Sequence, residues 1–164
     1  MRETERFYFF LQHQFGQWTM RDMRDTEGRQ YNCCEQYMMF HKACLFGDRD
    51  CASLIMQQTD PAQQKQLGRA VNNFDSALWN QHKFGIVWSG NYLKFSQHED
   101  LRRRLLSTGD KIIVEASPVD RVWGIGLAAQ DERILDPTNW RGQNLLGKVL
   151  MSVRQAVSED SPSA

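Results

Sequence analysis

YNCCEQYMMFHKACLFGD, residues 31–48, is the stretch that decides the fold class. Within it, 32–47 reads as a helix. Asn32 can cap it, Glu35 follows three residues on as in a capping box, and Gly47 is a stop. Beyond it, 48–57 reads as a short helix. Asp60-Pro61 then opens another, with Asp as cap and Pro in the first turn, running to about Arg69. Asp75 starts a longer helix in which Trp79, Ile86 and Leu93 recur every seven residues beside Leu78, an apolar stripe. Gly85 and Gly90 weaken it and predict a break near Gly90. A further short helix covers 98–106 and ends near Gly109, and a final one covers 143–157. Upstream, FYFFL at 7–11 is a strand, with one more short strand expected around 18–20. KIIVEA at 111–116 is β-branched and short, hence a strand. Residues 117–142 carry Pro118, Gly124, Gly126, Pro137 and Gly142 and read as a long loop, a length that usually marks function. The expected fold class is α+β, a mainly helical single domain over 1–157 with a few short strands, followed by a disordered tail at 158–164.

The bulk properties narrow the function. At 164 residues the chain suits one domain that buries roughly two thirds of its unfolded surface. Twenty basic and twenty acidic side chains leave no net charge, so no global field draws it to nucleic acid or to a membrane. Any phosphate contact must be local. Arg102, Arg103 and Arg104, and the pair Lys65 and Arg69, read first as solvated helix faces. Cys33, Cys34, Cys44 and Cys51 include an adjacent pair and no CxxC, which fits free buried thiols and no zinc site. His13, His41, His82 and His98 are scattered and suggest no metal. No signal-like or membrane-length apolar run occurs, so a cytoplasmic protein without membrane contact is expected.

Four groupings could carry chemistry. Glu35 and Lys42, seven residues apart, fall within about 20° of one another on a helix and can face one pocket; the plain alternative is a capping glutamate and a solvent lysine. EASPVDRVWGIG at 115–126 brings a strand end to Asp120, Trp123, Gly124 and Gly126. Its glycines could let backbone approach a ligand, and its alternative is a turn around a core Trp. NWRGQN at 139–144 leads into the last helix, where Asn144 could bind or merely cap. Trp79 and Lys83, one turn apart, could stack a base and meet a phosphate, or serve the core.

Together YNCCEQYMMFHKACLFGD, LGRAVNNFDSALWNQHK at 67–83, LKFSQHEDLRRRLLSTGDKIIVEASPVDRVWGIGL at 93–127 and WRGQNLLGKVLMSVR at 140–154 resemble the NADAR (YbiA-like) family. The resemblance implies an N-glycoside hydrolase. Described members act on ADP-ribose attached to guanine or on ribosylamino intermediates of riboflavin synthesis. It implies Glu35, Lys42 and Asp120 as catalytic residues and Trp79, Trp123 and Asn144 as substrate contacts; Lys83, Gly124 and Gly126 join the expected contacts from the residue patterns above, and no cofactor or metal is expected. The expected substrate is ADP-ribosylated guanine, in a nucleotide or a nucleic acid. A ribosylamino small molecule is the alternative substrate, and a non-catalytic ADP-ribose or NAD sensor the alternative function. The chain departs from the family at Phe15-Gly16-Gln17-Trp18, where members carry a phenylalanine-serine-asparagine-aromatic stretch, so this loop is expected to tune which glycoside is accepted.

Cleavage of an N-glycoside needs a proton on the departing nitrogen, a charge opposing the cationic C1, and water. Glu35 or Asp120 could serve. If the sugar opens, neutral Lys42 could instead displace the base through a Schiff base. Burial would favour the neutral amine and an ionised Glu35 would oppose it.

Overall fold

The computed structural model describes residues 1–160. In chain order the described residues form β1 (Arg2–Glu3), β2 (Phe7–Phe10), β3 (Met23–Arg24), β4 (Gln30–Tyr31), α1 (Cys34–Leu45), α2 (Arg49–Gln57), α3 (Pro61–Arg69), α4 (Ser76–Gln97), α5 (Glu99–Leu106), β5 (Ile112–Glu115) and α6 (Leu145–Glu159). They gather into two compact units, residues 17–97 and residues 1–16 with 98–160. No helix among them is long and apolar enough to cross a membrane.

In the unit of residues 17–97, α1 packs against α2, α3 and α4. Buried amides tie these helices. Gln36 Nε2 of α1 donates to the carbonyls of Ile55 and Gln58, each at 3.2 Å. Gln64 Nε2 of α3 donates to Gln58 O at 2.9 Å and Asn32 Oδ1 at 3.0 Å. Asp60 caps α3 by accepting from Ala62 N, as its Asp-Pro start predicts. The capping box at α1 does not form. Cys33 is the cap residue and makes no side-chain cap bond. Asn32 is held instead by Gln36, whose Oε1 accepts from Asn32 N at 2.8 Å, so Glu35 is not needed at the helix end.

The long helix differs from expectation in two ways. It runs unbroken through Gly90, because that glycine serves contact with α1: a Cβ there would stand 2.7 Å from Cδ1 of Tyr37. Its buried line is also not the Trp79, Ile86, Leu93 stripe, which is only partly covered. The buried line is Val87, Gly90, Asn91, Lys94 and Phe95. Asn91 is tolerated there because its Nδ2 donates to Gln17 Oε1 and Val87 O, each at 2.8 Å. The strand expected near Trp18 is absent. A two-stranded antiparallel ribbon forms just after it, pairing Met23 with Tyr31 and Arg24 with Gln30.

The second unit is a three-stranded sheet in the order β1-β2-β5, with β1 antiparallel and β5 parallel to β2. All four β2 residues are buried, so both faces of the strand are covered. One face meets Val114, Ala116, Ile125, Leu127 and Ile134 through Phe7 and Phe9. The long loop holds two short 3₁₀ turns, Glu132–Leu135 and Pro137–Asn139. Helix α6 lies against β5 and extends to Glu159, two residues past its expected end. Of the expected tail, residues 161–164 lie outside the described residues. Of the arginine run, Arg103 is solvent-exposed as expected, whereas Arg102 Nη2 donates to Val157 O at 2.7 Å and Arg104 lies over the Tyr8 ring at 6.0 Å. Cys33, Cys34 and Cys51 are buried free thiols, as read from the sequence, while Cys44 is exposed.

Helix α6 closes on β5 at Gly147, where an added Cβ would stand 2.1 Å from the Ile113 carbonyl oxygen. The Ile113 backbone cannot yield, and the Asn144 amide on the other side is held by its bonds to Ile113 and Glu115. Gly147→Ala is therefore expected to lower stability by roughly 1–3 kcal/mol or more, read as a fall in the denaturant midpoint at unchanged slope.

Candidate active site

Helix α1 turns one stripe, Glu35, Met39 and Lys42, toward a cluster built within residues 17–97. Glu35 is 3% exposed. Its backbone N–H donates to Gln17 O at 2.9 Å, which pins the loop bearing Trp18 against the start of the helix. Burial pushes the Glu35 carboxyl up to about 7; the Lys65 ammonium, a hydrogen bond from Trp18, and the charges of Lys42 and Arg69 pull the other way without overcoming it. Near neutral pH the group therefore exchanges its proton readily, as an acid–base catalyst must.

Lys42 lies beneath two aromatic rings, its Nζ 4.8 Å from the centroid of Phe74 and 5.5 Å from that of Trp79. Phe74 is braced in turn by Phe46, with ring centroids 5.3 Å apart. Burial holds the Lys42 ammonium below the usual lysine range; Glu35 and Cys51 oppose that shift, and Arg69 adds to it. Desolvation thus moves both members of the Glu35–Lys42 pair toward their uncharged forms. The anticipated conflict, in which Glu35 would keep Lys42 charged, is won by burial.

Trp79 joins this cluster; the described contact of Lys83 is elsewhere, its Nζ donating to Asn80 Oδ1 on its own helix at 2.9 Å. The cluster also contains residues that sequence reasoning did not assign. Trp18 belongs to the stretch that departs from the family, and its ring carries Lys65 Nζ at 5.8 Å. Lys65 and Arg69 read as a solvated face, yet Lys65 is half-buried. The available signal was their spacing of four, which puts both on one side of α3. Phe74, within the FD-x-x-x-W segment, had no such signal.

The other predicted residues belong to the second unit. Asp120 Oδ1 accepts from the N–H groups of both Val122 and Trp123 at 2.8 Å, folding the loop into an Asx-type turn. Gly126 N donates back to Asp120 O at 3.2 Å. Gly124 is a close-packing glycine, since a Cβ there would stand 2.9–3.0 Å from Ser117 Cβ, Asp120 O and Glu115 O. Gly126 has φ +70, in the left-handed region. Asn144 is buried and itself left-handed, with φ 52. It makes no side-chain cap bond to α6. Its amide instead works like a strand residue against β5, donating to Ile113 O at 2.9 Å and accepting from Glu115 N at 3.0 Å. Trp123 is half-buried. No cluster of three or more metal-ligating side chains occurs among the described residues.

The NADAR domain model matches residues 1–158. The chain belongs to the NADAR family. It is 47% identical to N-glycosidase R617 of Acanthamoeba polyphaga mimivirus, covering 93% of this chain and 97% of that protein. It is 31% identical to riboflavin biosynthesis protein PYRR of Arabidopsis thaliana over 70% of this chain, but this spans only 18% of that longer protein. The fold matches the NMR structure of the E. coli protein YbiA with a TM-score of 0.78 at 22% identity, over 99% of this chain and 92% of that one. This NADAR fold is the mainly helical α+β architecture expected from the sequence.

The raised Glu35 pKa has a stability consequence. The folded state holds this proton between about 4.5 and 7, where the unfolded chain has released it. Stability linked to Glu35 is therefore full below the lower value and is lost as pH rises through the upper one. Glu35→Gln should remove this slope and stabilise the protein above pH 7 by up to about 3 kcal/mol. Chemical denaturation of both proteins from pH 4 to 8 measures it; parallel curves would refute it. Asn144→Ala should cost about 1–3 kcal/mol, because it strands the Ile113 carbonyl and the Glu115 N–H, and the same denaturation reads it.

Proposed function

We propose that this NADAR protein is an N-glycoside hydrolase that removes ADP-ribose from ADP-ribosylated guanine. The single observation that carries the reading is the desolvated pair, Glu35 poised near neutrality and Lys42 held below its usual range under Trp79 and Phe74. Two support the choice of substrate. Trp18, Phe74 and Trp79 offer flat apolar rings suited to a purine. The relative named as an N-glycosidase matches this chain end to end, whereas the riboflavin protein matches only through a minor part of its length. Hydrolysis of a ribosylamino riboflavin intermediate is the second reading, favoured by that same partial match.

Glu35, protonated, donates to the ring oxygen as the C1–O bond breaks, its bond pair going to that oxygen while the nitrogen lone pair forms C1=N, and the proton released at nitrogen serves the later departure of the base amine. With the sugar ring open, C1 is an imine carbon that the neutral Lys42 amine adds to. Expulsion of the base amine leaves Lys42 joined to C1 as a Schiff base, and water adds to that carbon to release lysine and the aldose. The uncharged forms favoured by burial are the ones this sequence requires. Asp120 enters the proposal as a positioning residue that fixes the loop presenting Trp123, with Gly124 and Gly126 giving that loop its close-packed shape and Asn144 anchoring its end. Lys83 is proposed as a peripheral contact.

Free ADP-ribose should appear when the protein is incubated with ADP-ribosylated guanosine, and kcat/KM should decline above pH 7 as Glu35 deprotonates. Glu35→Gln should lower kcat by about 10²–10⁴-fold and flatten that limb. Borohydride added during turnover should leave a sugar adduct on Lys42 that Lys42→Met abolishes. Turnover without an adduct points to direct hydrolysis, and ADP-ribose binding without release points to a sensor.

A further inference from the structure

Glu35 has one proton to give and two oxygens that could carry it. What surrounds the carboxyl decides between them. The Glu35 N–H lies in the first turn of α1, where no helical carbonyl precedes it, and Gln17 O takes it at 2.9 Å. Gln17 is fixed in turn from α4, its Oε1 accepting from Asn91 Nδ2 at 2.8 Å. The next residue, Trp18, is thereby delivered to the acid, and its indole N–H donates to the Glu35 carboxyl. Lys65 of α3 holds the ring from another side, its Nζ 5.8 Å from the ring centroid. Trp18 is 40% exposed and Glu35 3%, so the indole reaches from the surface to the buried acid.

An indole N–H donates and cannot accept. In a protonated carboxyl one oxygen carries the proton and the other offers the stronger acceptor lone pairs. The oxygen bonded to Trp18 is therefore the acceptor, and the proton sits on its twin. As the proton leaves, negative charge spreads over both oxygens and the Trp18 bond becomes charge-assisted, roughly twice as strong as its neutral counterpart. A contact that strengthens during proton transfer lowers the barrier more than the ground state. The other groups that face Glu35 are Lys42 of its own helix and Lys65 and Arg69 of α3, with the thiols of Cys33 and Cys34 beside it. The three cations act on the carboxyl through charge, which pulls on the group as a whole. A hydrogen bond is directional and singles out one oxygen.

We propose that Trp18 is a positioning residue for the reaction: its indole N–H occupies one Glu35 oxygen, directs the acidic proton to the other, and stabilises the carboxylate left when that proton reaches the sugar ring oxygen. The inference rests on the N-glycosidase reading and assigns the loop of Trp18 a part in its proton transfer. The backbone bond from Glu35 N to Gln17 O sets where the indole enters, and Lys65 keeps the ring from swinging away. The free carboxyl of a flexible side chain would share its proton between both oxygens. Here the proton has one address.

Trp18→Phe keeps an aromatic ring for Lys65 and deletes the N–H. With ADP-ribosylated guanosine as substrate, kcat of this variant should fall by roughly tenfold to a hundredfold, while KM changes less than about threefold. Losing a bond that favours ionised Glu35 lets the carboxyl hold its proton to higher pH. The alkaline limb of kcat/KM should therefore move upward by roughly half a unit or more. A ring that served packing alone would leave that limb in place, and an unmoved or lowered limb overturns the proposal. A second measurement needs no turnover. In proton–nitrogen NMR spectra of the full-length protein, the indole N–H resonance of Trp18 is the one that Trp18→Phe removes. It should shift downfield with rising pH, with a midpoint at about 7, and stay level in Glu35→Gln. A resonance that does not titrate in wild type, or titrates alike in Glu35→Gln, overturns the proposal. Failure of wild type to cleave the substrate overturns the N-glycosidase reading, and the NMR titration still decides whether Trp18 holds the acid.

Discussion

Desolvation of one carboxyl group governs the chemistry available to residues 17–97. Placing Glu35 at 3% exposure makes its ionised form costly. The surrounding chain moderates that cost without cancelling it. A Trp18 hydrogen bond and the charges of Lys65, Lys42 and Arg69 keep the carboxyl from being locked in its protonated state, and the balance falls near neutrality. Lys42 shares the helix of Glu35, the Gln17 carbonyl bond to Glu35 N holds the loop of Trp18 beside it, and Lys65 and Arg69 come from α3, which packs on α1. Gly68 lets α3 close on Met39, and Gly90 lets α4 close on Tyr37. Two side-chain-free positions on two helices thus allow the close packing that buries the face of a third.

The polar interior of this unit follows the same rule, that burial is tolerated where each polar group has a partner. Gln36 and Gln64 cross-tie three helices through carbonyls at the end of α2, and Asn91 ties α4 to Gln17. Gln17 is therefore held twice, by its side chain on α4 and by its carbonyl on Glu35 N. That double hold steadies the segment from which Trp18 extends. The loop that departs from the family's usual residues is thus anchored at the catalytic candidate itself.

The second unit solves a different problem, how to end a buried parallel strand. Strand β5 pairs with β2 along one edge. Its other edge is satisfied by the Asn144 side chain, which accepts from Glu115 and donates to Ile113 as a neighbouring strand would. Gly147 then lets α6 lie directly on the strand backbone. Asp120 closes the preceding loop onto its own N–H groups. The long segment between β5 and α6 is thereby fixed by backbone hydrogen bonds, although it holds little regular structure.

The sequence by itself determined the elements and the pair. Period and caps located α1, α3 and β5 to within two residues, and a spacing of seven put Glu35 and Lys42 on one face, because helix geometry is local. The motif segments likewise carried the family. Only tertiary structure decided what those positions do. Asn32-x-x-Glu35 has the spacing of a capping box, yet Gln36 takes Asn32 and leaves Glu35 buried. Gly90 has the composition of a helix break, yet Tyr37 needs the space. Lys65 and Arg69 have the pattern of a solvated face, which Arg69 keeps, yet Lys65 is half-buried with its ammonium over the Trp18 ring. In each case the competing readings differ only in what lies across from the residue, and both desolvation, which shifts pKa values, and steric room, which selects glycine, are set by neighbours distant in the chain.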